Sequence, residues 1–378
     1  MMNAMPEIRP YRIDVPATVL DDLHQRLART RWPESETVDD WSQGIPLSYT
    51  RELADYWATG YDWRAREAAL NRFDHYLTEI DDLDIHFIHQ RSPHDDALPL
   101  LITHGWPGSV VEFHKVIEPL VNPPSGRAED AFHVICPSLP GYGFSGKPAG
   151  TGWGVGKIAQ AWETLVGRLG YDRYGAQGGD WGAAVTTQIG RNGGRCVGIH
   201  LNMPIAKPVE GTGDFTEDDQ RALAAYAEHR KWGTGYSKQQ STRPQTLGYG
   251  LVDSPVGQMA WVVEKFWAWA DCDGHPEKVF ARDELLDNVM LYWVTGTGAS
   301  SARLYWESFN RFISDGRVGL PTGVASFPKE ILRTPRSWCD AAYNITHWTT
   351  MPRGGHFAAF EQPQLYVDDV RAFFATLR

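Results

Sequence analysis

Gly178-Gly179-Asp180-Trp181-Gly182 is the stretch on which the reading of this 378-residue chain turns. Before it, Tyr174-Gly-Ala-Gln177 reads as a short strand running into Gly178; after it, Ala183 to Gly190 reads as a helix. Strand, glycine-flanked acid and helix match the small-x-nucleophile-x-small turn, in which flanking glycines permit a sharp, strained bend that lifts the central side chain out. The same residues also fit a plain helix start, with Asp180 as an N-cap after a glycine turn. The segment alone does not choose between the two.

The surroundings have a regular grammar. Leu98-Pro-Leu-Leu-Ile-Thr103 and Phe132-His-Val-Ile-Cys136 are short apolar runs that suit buried parallel strands. Ile158 to Leu169 is expected to be helical, and Val197 to Asn202 a further strand. Strand and helix in alternation imply an α/β fold, a mostly parallel sheet with helices on both faces. We divide the chain into a leader (1–95), a first core part (96–207), a helical cap (208–312) and a second core part (313–378). In the leader, Val19–Arg29 and Tyr61–Leu77 are expected as helices and Ile85–His89 as a strand, with His86 and His89 as strand-surface residues. The cap carries helical patterns at Thr216–Arg230, Pro255–Ala270 and Glu284–Tyr292. Gly319–Phe327 and Thr346–Met351 read as returning strands, and Pro363–Leu377 as a final helix.

Composition narrows the function. With 42% hydrophobic and 22% charged residues the chain is an ordinary globular one. A net charge of -11 and no Lys/Arg-rich run argue against nucleic acid as a partner. Cys136, Cys196, Cys272 and Cys339 are scattered without metal-ligand spacing, so they are expected to be reduced packing residues in a cytoplasmic protein, and no metal is expected. Met1 to Pro10 lacks a signal-peptide pattern, and no apolar run is long enough for a membrane helix, so no membrane anchor is expected. The 16 Trp suit core packing, with some left over to line a pocket for a bulky apolar ligand.

If Asp180 is a nucleophile, its chemistry differs from that of serine. A carboxylate is already ionised at neutral pH and attacks saturated, electrophilic carbon to give an alkyl-enzyme ester. Water must then cleave that ester, which calls for a base and an oxyanion hole. His104-Gly-Trp-Pro-Gly108 follows the first core strand, so the Trp106 and Trp181 amides are the expected oxyanion donors. His356, in Arg353-Gly-Gly-His356, is the expected base. Its orienting acid should fall between Asp180 and His356; Glu330 is preferred, Asp340 is the second choice, and Asp315 sits too close to the cap.

With these motifs in order, the sequence resembles the epoxide hydrolases of the α/β-hydrolase superfamily, in their microsomal and juvenile-hormone branch. Further residues that carry the resemblance are Arg31-Trp-Pro33, Tyr61-Asp-Trp-Arg64, Leu139-Pro-Gly-Tyr-Gly-Phe-Ser145, Asp253-Ser-Pro-Val-Gly257, Asn288-Val-Met-Leu-Tyr-Trp293 and Arg353-Gly-Gly-His-Phe-Ala-Ala-Phe360. The resemblance implies an α/β-hydrolase fold, conversion of a small hydrophobic epoxide to a vicinal diol, and no cofactor. It also implies two cap tyrosines that hold the epoxide oxygen and supply a proton; Tyr305 matches one position and Tyr236 matches the other less tightly. It supports Glu330, which follows a Phe-Pro-x element, over Asp340. Bacterial members serve detoxification or natural-product tailoring, including antibiotic biosynthesis, and the sequence does not choose between them. A homodimer is left open. A haloalkane dehalogenase would share Asp180-Trp181 and the late His but would not need the tyrosines. A non-catalytic binding protein on the same scaffold would be expected to have lost part of the set, and a serine esterase would need Ser at the elbow.

Overall fold

The computed structural model describes residues 7–208, 215–309 and 316–378. Nine strands form one sheet in the order β1-β2-β3-β5-β4-β6-β7-β8-β9. They are β1 (Arg9–Tyr11), β2 (His75–Ile80), β3 (Leu83–Gln90), β4 (Leu98–Thr103), β5 (Phe132–Pro137), β6 (Tyr174–Gly178), β7 (Cys196–Leu201), β8 (Pro321–Ser326) and β9 (Asn344–Thr350). From β5 to β9 all pairings are parallel, whereas β1, β2 and β3 add an antiparallel end. The apolar runs behave as expected of strands covered on both faces: every residue of β4 and β5 is buried. One cover is the helix Val155–Arg168, whose buried Ile158, Trp162, Leu165 and Val166 fall at i, i+4, i+7 and i+8 and so share one face.

Two expectations for the leader are corrected. The helix placed over Tyr61–Leu77 is Trp63–Leu70 only, and the chain then turns into β2. β2 and β3 form a hairpin around Asp81-Asp82, both at positive φ (50° and 60°), the conformation of a tight two-residue turn. Leu47–Thr59, not foreseen, is a further helix. His86 and His89 do not lie on a strand surface: both are buried. His86 Nε2 lies 2.9 Å from His75 Nδ1 and His86 Nδ1 lies 2.9 Å from Ser138 Oγ, and burial holds the ring far below its ordinary pKa. β3 is buried along nearly its whole length, on both faces, so alternation along it does not mark a wet side.

Between β7 and β8 the described elements are all helical. The leader is fastened to this insertion. Arg66 pairs with Asp287, the Tyr61 hydroxyl donates to Asp287 at 2.9 Å, and Tyr56 donates to Asp283 at 2.7 Å. The helix Arg282–Thr295 in turn grips the loop after β4: Asn288 Nδ2 donates to the Pro107 carbonyl and the Tyr292 hydroxyl to that of Gly108, both at 2.7 Å. Helical insertion, leader and the loop after β4 are thereby linked by polar contacts. The four cysteines are buried and free. No helix among the described residues is long and apolar enough to cross a membrane.

Candidate active site

Register explains why distant residues meet. β4 and β6 are parallel neighbours with Thr103 opposite Gly178, so the loops leaving their C-terminal ends emerge side by side. The Trp106 amide therefore donates to Asp180 Oδ1 at 2.8 Å. The N-cap of the following helix, Asp180–Asn192, is Gly179, so the plain N-cap reading of Asp180 is set aside. Asp180 itself sits at φ 51°, a left-handed conformation that costs a non-glycine residue free energy and is found at functional turns. The bend is tight: a Cβ on Gly182 would meet the Thr103 carbonyl oxygen at 1.9 Å. Trp181 contributes a first-turn amide, which has no acceptor within its own helix.

A second pair of parallel strands delivers the other half. β8 and β9 run together, and the bridge between Lys329 and Gly355 prolongs their pairing into the loops beyond. Glu330 Oε1 thus comes to lie 2.6 Å from His356 Nδ1, while His356 Nε2 is 3.3 Å from Asp180 Oδ2. All three residues are buried. Burial alone would push the imidazole down, but Glu330 and Asp180 on its two nitrogens hold its pKa well above the ordinary value. Asp340 is not part of this arrangement; it is half-exposed on a helix and pairs loosely with Arg336 at 3.8 Å. Asp315 lies outside the described residues.

Tyr236 and Tyr305 are brought to the same place from two cap helices, Gly235–Thr242 and Gly298–Ser308. Tyr236 stacks on Trp106 (5.1 Å, 11°), and Tyr305 stands edge-on to Trp181 (4.8 Å) and to Tyr236 (5.8 Å). Trp269 closes the group 5.1 Å from Tyr236. Burial keeps both phenols neutral, their pKa values raised above the ordinary one. The Tyr305 hydroxyl is buried within hydrogen-bonding reach of Trp181 and Tyr236.

Three residues here were not anticipated. Glu361 fastens the loop around His356, accepting from the Gly355 amide and, on its other oxygen, from that of Phe357, both at 2.9 Å. It also accepts from the Asp271 amide of the cap at 2.8 Å. Tyr142 is buried, its hydroxyl unpartnered among the described residues, and Asp180 and Tyr236 add to the rise of its pKa. Lys265, in the cap, places its ammonium 4.9 Å from the Tyr236 ring centroid. A Glu one turn beyond a His, a Tyr in a glycine turn and a Lys in an aromatic helix carry no distinctive spacing. No cluster of His, Cys, Asp and Glu among the described residues is arranged to hold a metal.

An acid at a strand-to-helix elbow, a His–Glu pair from later strands and an inserted cap define an α/β-hydrolase architecture, and the α/β hydrolase fold profile matches residues 99–219. The profile of the epoxide hydrolase N terminus matches residues 8–113. A protein of Stigmatella aurantiaca, named provisionally as an epoxide hydrolase, is 53% identical over 98% of this chain and 86% of its own. Epoxide hydrolase 1 of Oryctolagus cuniculus is 37% identical over 97% of this chain and 88% of its own. Among solved structures, juvenile hormone epoxide hydrolase of Bombyx mori superposes with a TM-score of 0.92 at 30% identity, covering 99% of this chain and 95% of that one. The Aspergillus niger epoxide hydrolase superposes at 0.91 and 31% identity, covering 98% and 97%. The chain belongs to the epoxide hydrolase family.

Proposed function

We propose that this protein hydrolyses a hydrophobic aryl or alkyl epoxide to a vicinal diol through an ester on Asp180. The observation that carries the reading is the position of the Asp180 carboxylate, with Oδ1 on the Trp106 amide and Oδ2 facing His356. Oδ2 attacks a ring carbon; the ring C–O bond breaks as Tyr236 or Tyr305 gives its proton to the departing oxygen. Water then loses a proton to His356 Nε2, oriented by Glu330, and its oxygen adds to the carboxyl carbon. The Trp106 and Trp181 amides hold the oxyanion. The ester C–O bond breaks, the diol oxygen takes the proton from His356, and the water's second proton returns to the tyrosinate through solvent.

The walls support this substrate class. Trp106, Trp181, Trp269 and the two tyrosines present aromatic faces and edges, which favour apolar and aryl groups. A haloalkane would need no proton donor for its leaving group, whereas an alkoxide does. The test is a panel of styrene oxide and matched alkyl bromides with wild type, Tyr236→Phe and Tyr305→Phe. Wild type should open the epoxide. Each variant should form the ester about 10²–10⁴-fold more slowly, the range for loss of a positioned acid. Bromide release without epoxide opening, or variants as fast as wild type, would overturn the reading.

A further inference from the structure

Asp180 and His356 also border a small cavity on the core side, whose walls do not include the two tyrosines. Its volume, ≈ 20 Å³, suits one water, which needs at least roughly 10–15 Å³ on this scale. A water there requires polar partners, and most of the wall is already engaged. Gln177 gives its amide to Asn202 at 2.9 Å and accepts from Tyr366 at 2.6 Å. Glu112 is the other acid on the wall.

Glu112 belongs to the short turn Val110–Phe113, capped by Ser109, whose hydroxyl accepts from the Val111 amide at 3.3 Å. The Ser109 amide in turn donates to the Glu112 carboxyl. The Ser109 amide accounts for one carboxyl oxygen. It does not account for the place of the group. Glu112 Oε1 lies 1.4 Å from where a Cβ on Gly108 would stand, so the glycine is what lets an acid press against the oxyanion turn. Burial pushes its pKa up to about 8, opposed by His356 and reinforced by Asp180, so at neutral pH it adds no second negative charge beside the nucleophile.

We propose that Glu112 is a water-positioning residue. Its carbonyl oxygen accepts from the Ser109 amide; its hydroxyl donates to a water whose own O–H points to His356 Nε2. A lone pair of that water then faces the Asp180 carboxyl carbon. This rests on the ester reading above, and concerns only the step that cleaves the ester.

Glu112→Gln keeps both tasks: its amide oxygen still accepts from the Ser109 amide, and its NH2 donates to the water as the carboxylic O–H does. Glu112→Ala loses both functions. Each variant of the full chain is mixed with styrene oxide in single turnover, quenched at intervals and weighed as intact protein, and its melting temperature is measured. Glu112→Gln should match wild type in melting and in both steps. Glu112→Ala should melt earlier, form the ester at the wild-type rate and hydrolyse it about 10–100-fold more slowly, the scale of a misplaced reactant. Ester hydrolysis at the wild-type rate in Glu112→Ala, or slowed in Glu112→Gln as much as in Glu112→Ala, would overturn the proposal. So would equal slowing of both steps with an early melt, the mark of a cap alone. A wild type that forms no ester would instead fail the Asp180 reading and take this proposal with it.

Discussion

Asp180→Ala is expected to leave a folded protein that makes no diol. Three features of the site decide this. The Trp106 amide loses its acceptor, His356 loses the carboxylate on Nε2, and alanine offers no carboxylate to attack with. Removing a covalent nucleophile costs about 10⁵-fold or more in turnover, because the remaining groups act through it. Stability should change little by comparison. Alanine tolerates the φ of 51° less well than aspartate, but the substitution also removes a buried charge. Steady-state hydrolysis of styrene oxide with a parallel thermal melt checks both parts. A variant that keeps a tenth of the activity would place the nucleophile elsewhere.

His356→Gln should instead stop the cycle halfway. In the proposed mechanism ester formation needs Asp180 and the tyrosines, and glutamine leaves both in place. Hydrolysis needs a base, and an amide is none. Once the ester forms, Asp180 no longer carries charge, so one of the causes that raise the imidazole pKa in the free protein is gone. The histidine is then better able to take a proton from water near neutral pH. The variant should consume one equivalent of epoxide rapidly without releasing diol and show an ester by intact mass, its decay roughly 10²–10⁴-fold slower than in wild type. Equal loss of ester formation and hydrolysis would argue that His356 serves the first step as well.

Much of the core was legible because parallel strands leave a plain mark. Leu98–Thr103 and Phe132–Cys136 are apolar throughout, and the glycines around Asp180 announce a bend before a helix. The antiparallel end was harder. His75–Ile80 mixes polar and apolar residues, as the helix before it does, and only the Asp81-Asp82 turn separates strand from strand. The helix Leu47–Thr59 starts after Pro46 without a side-chain cap, which removes the usual signal of a helix start.

The site divides along the same line. Asp180 and His356 stand in glycine loops that are distinctive by themselves. Glu330 is 26 residues from His356, and its nearness to the ring comes from the Lys329–Gly355 bridge, a matter of strand register that sequence spacing does not display. Tyr236 and Tyr305 came from family resemblance, since one tyrosine in a helix looks like another. Glu361 and Glu112 were passed over because each also fills an ordinary backbone-capping role. In both, the second role depends on what the carboxyl touches across the fold.

The most direct test of the account is a single turnover of styrene oxide in ¹⁸O-water with enzyme in excess. An ester on Asp180 predicts that the first diol carries no solvent oxygen, because its new oxygen comes from the carboxylate, while ¹⁸O appears in the peptide that contains Asp180. Solvent ¹⁸O in the first-turnover diol, with an unlabelled Asp180 peptide, would mean direct attack by water and would contradict it.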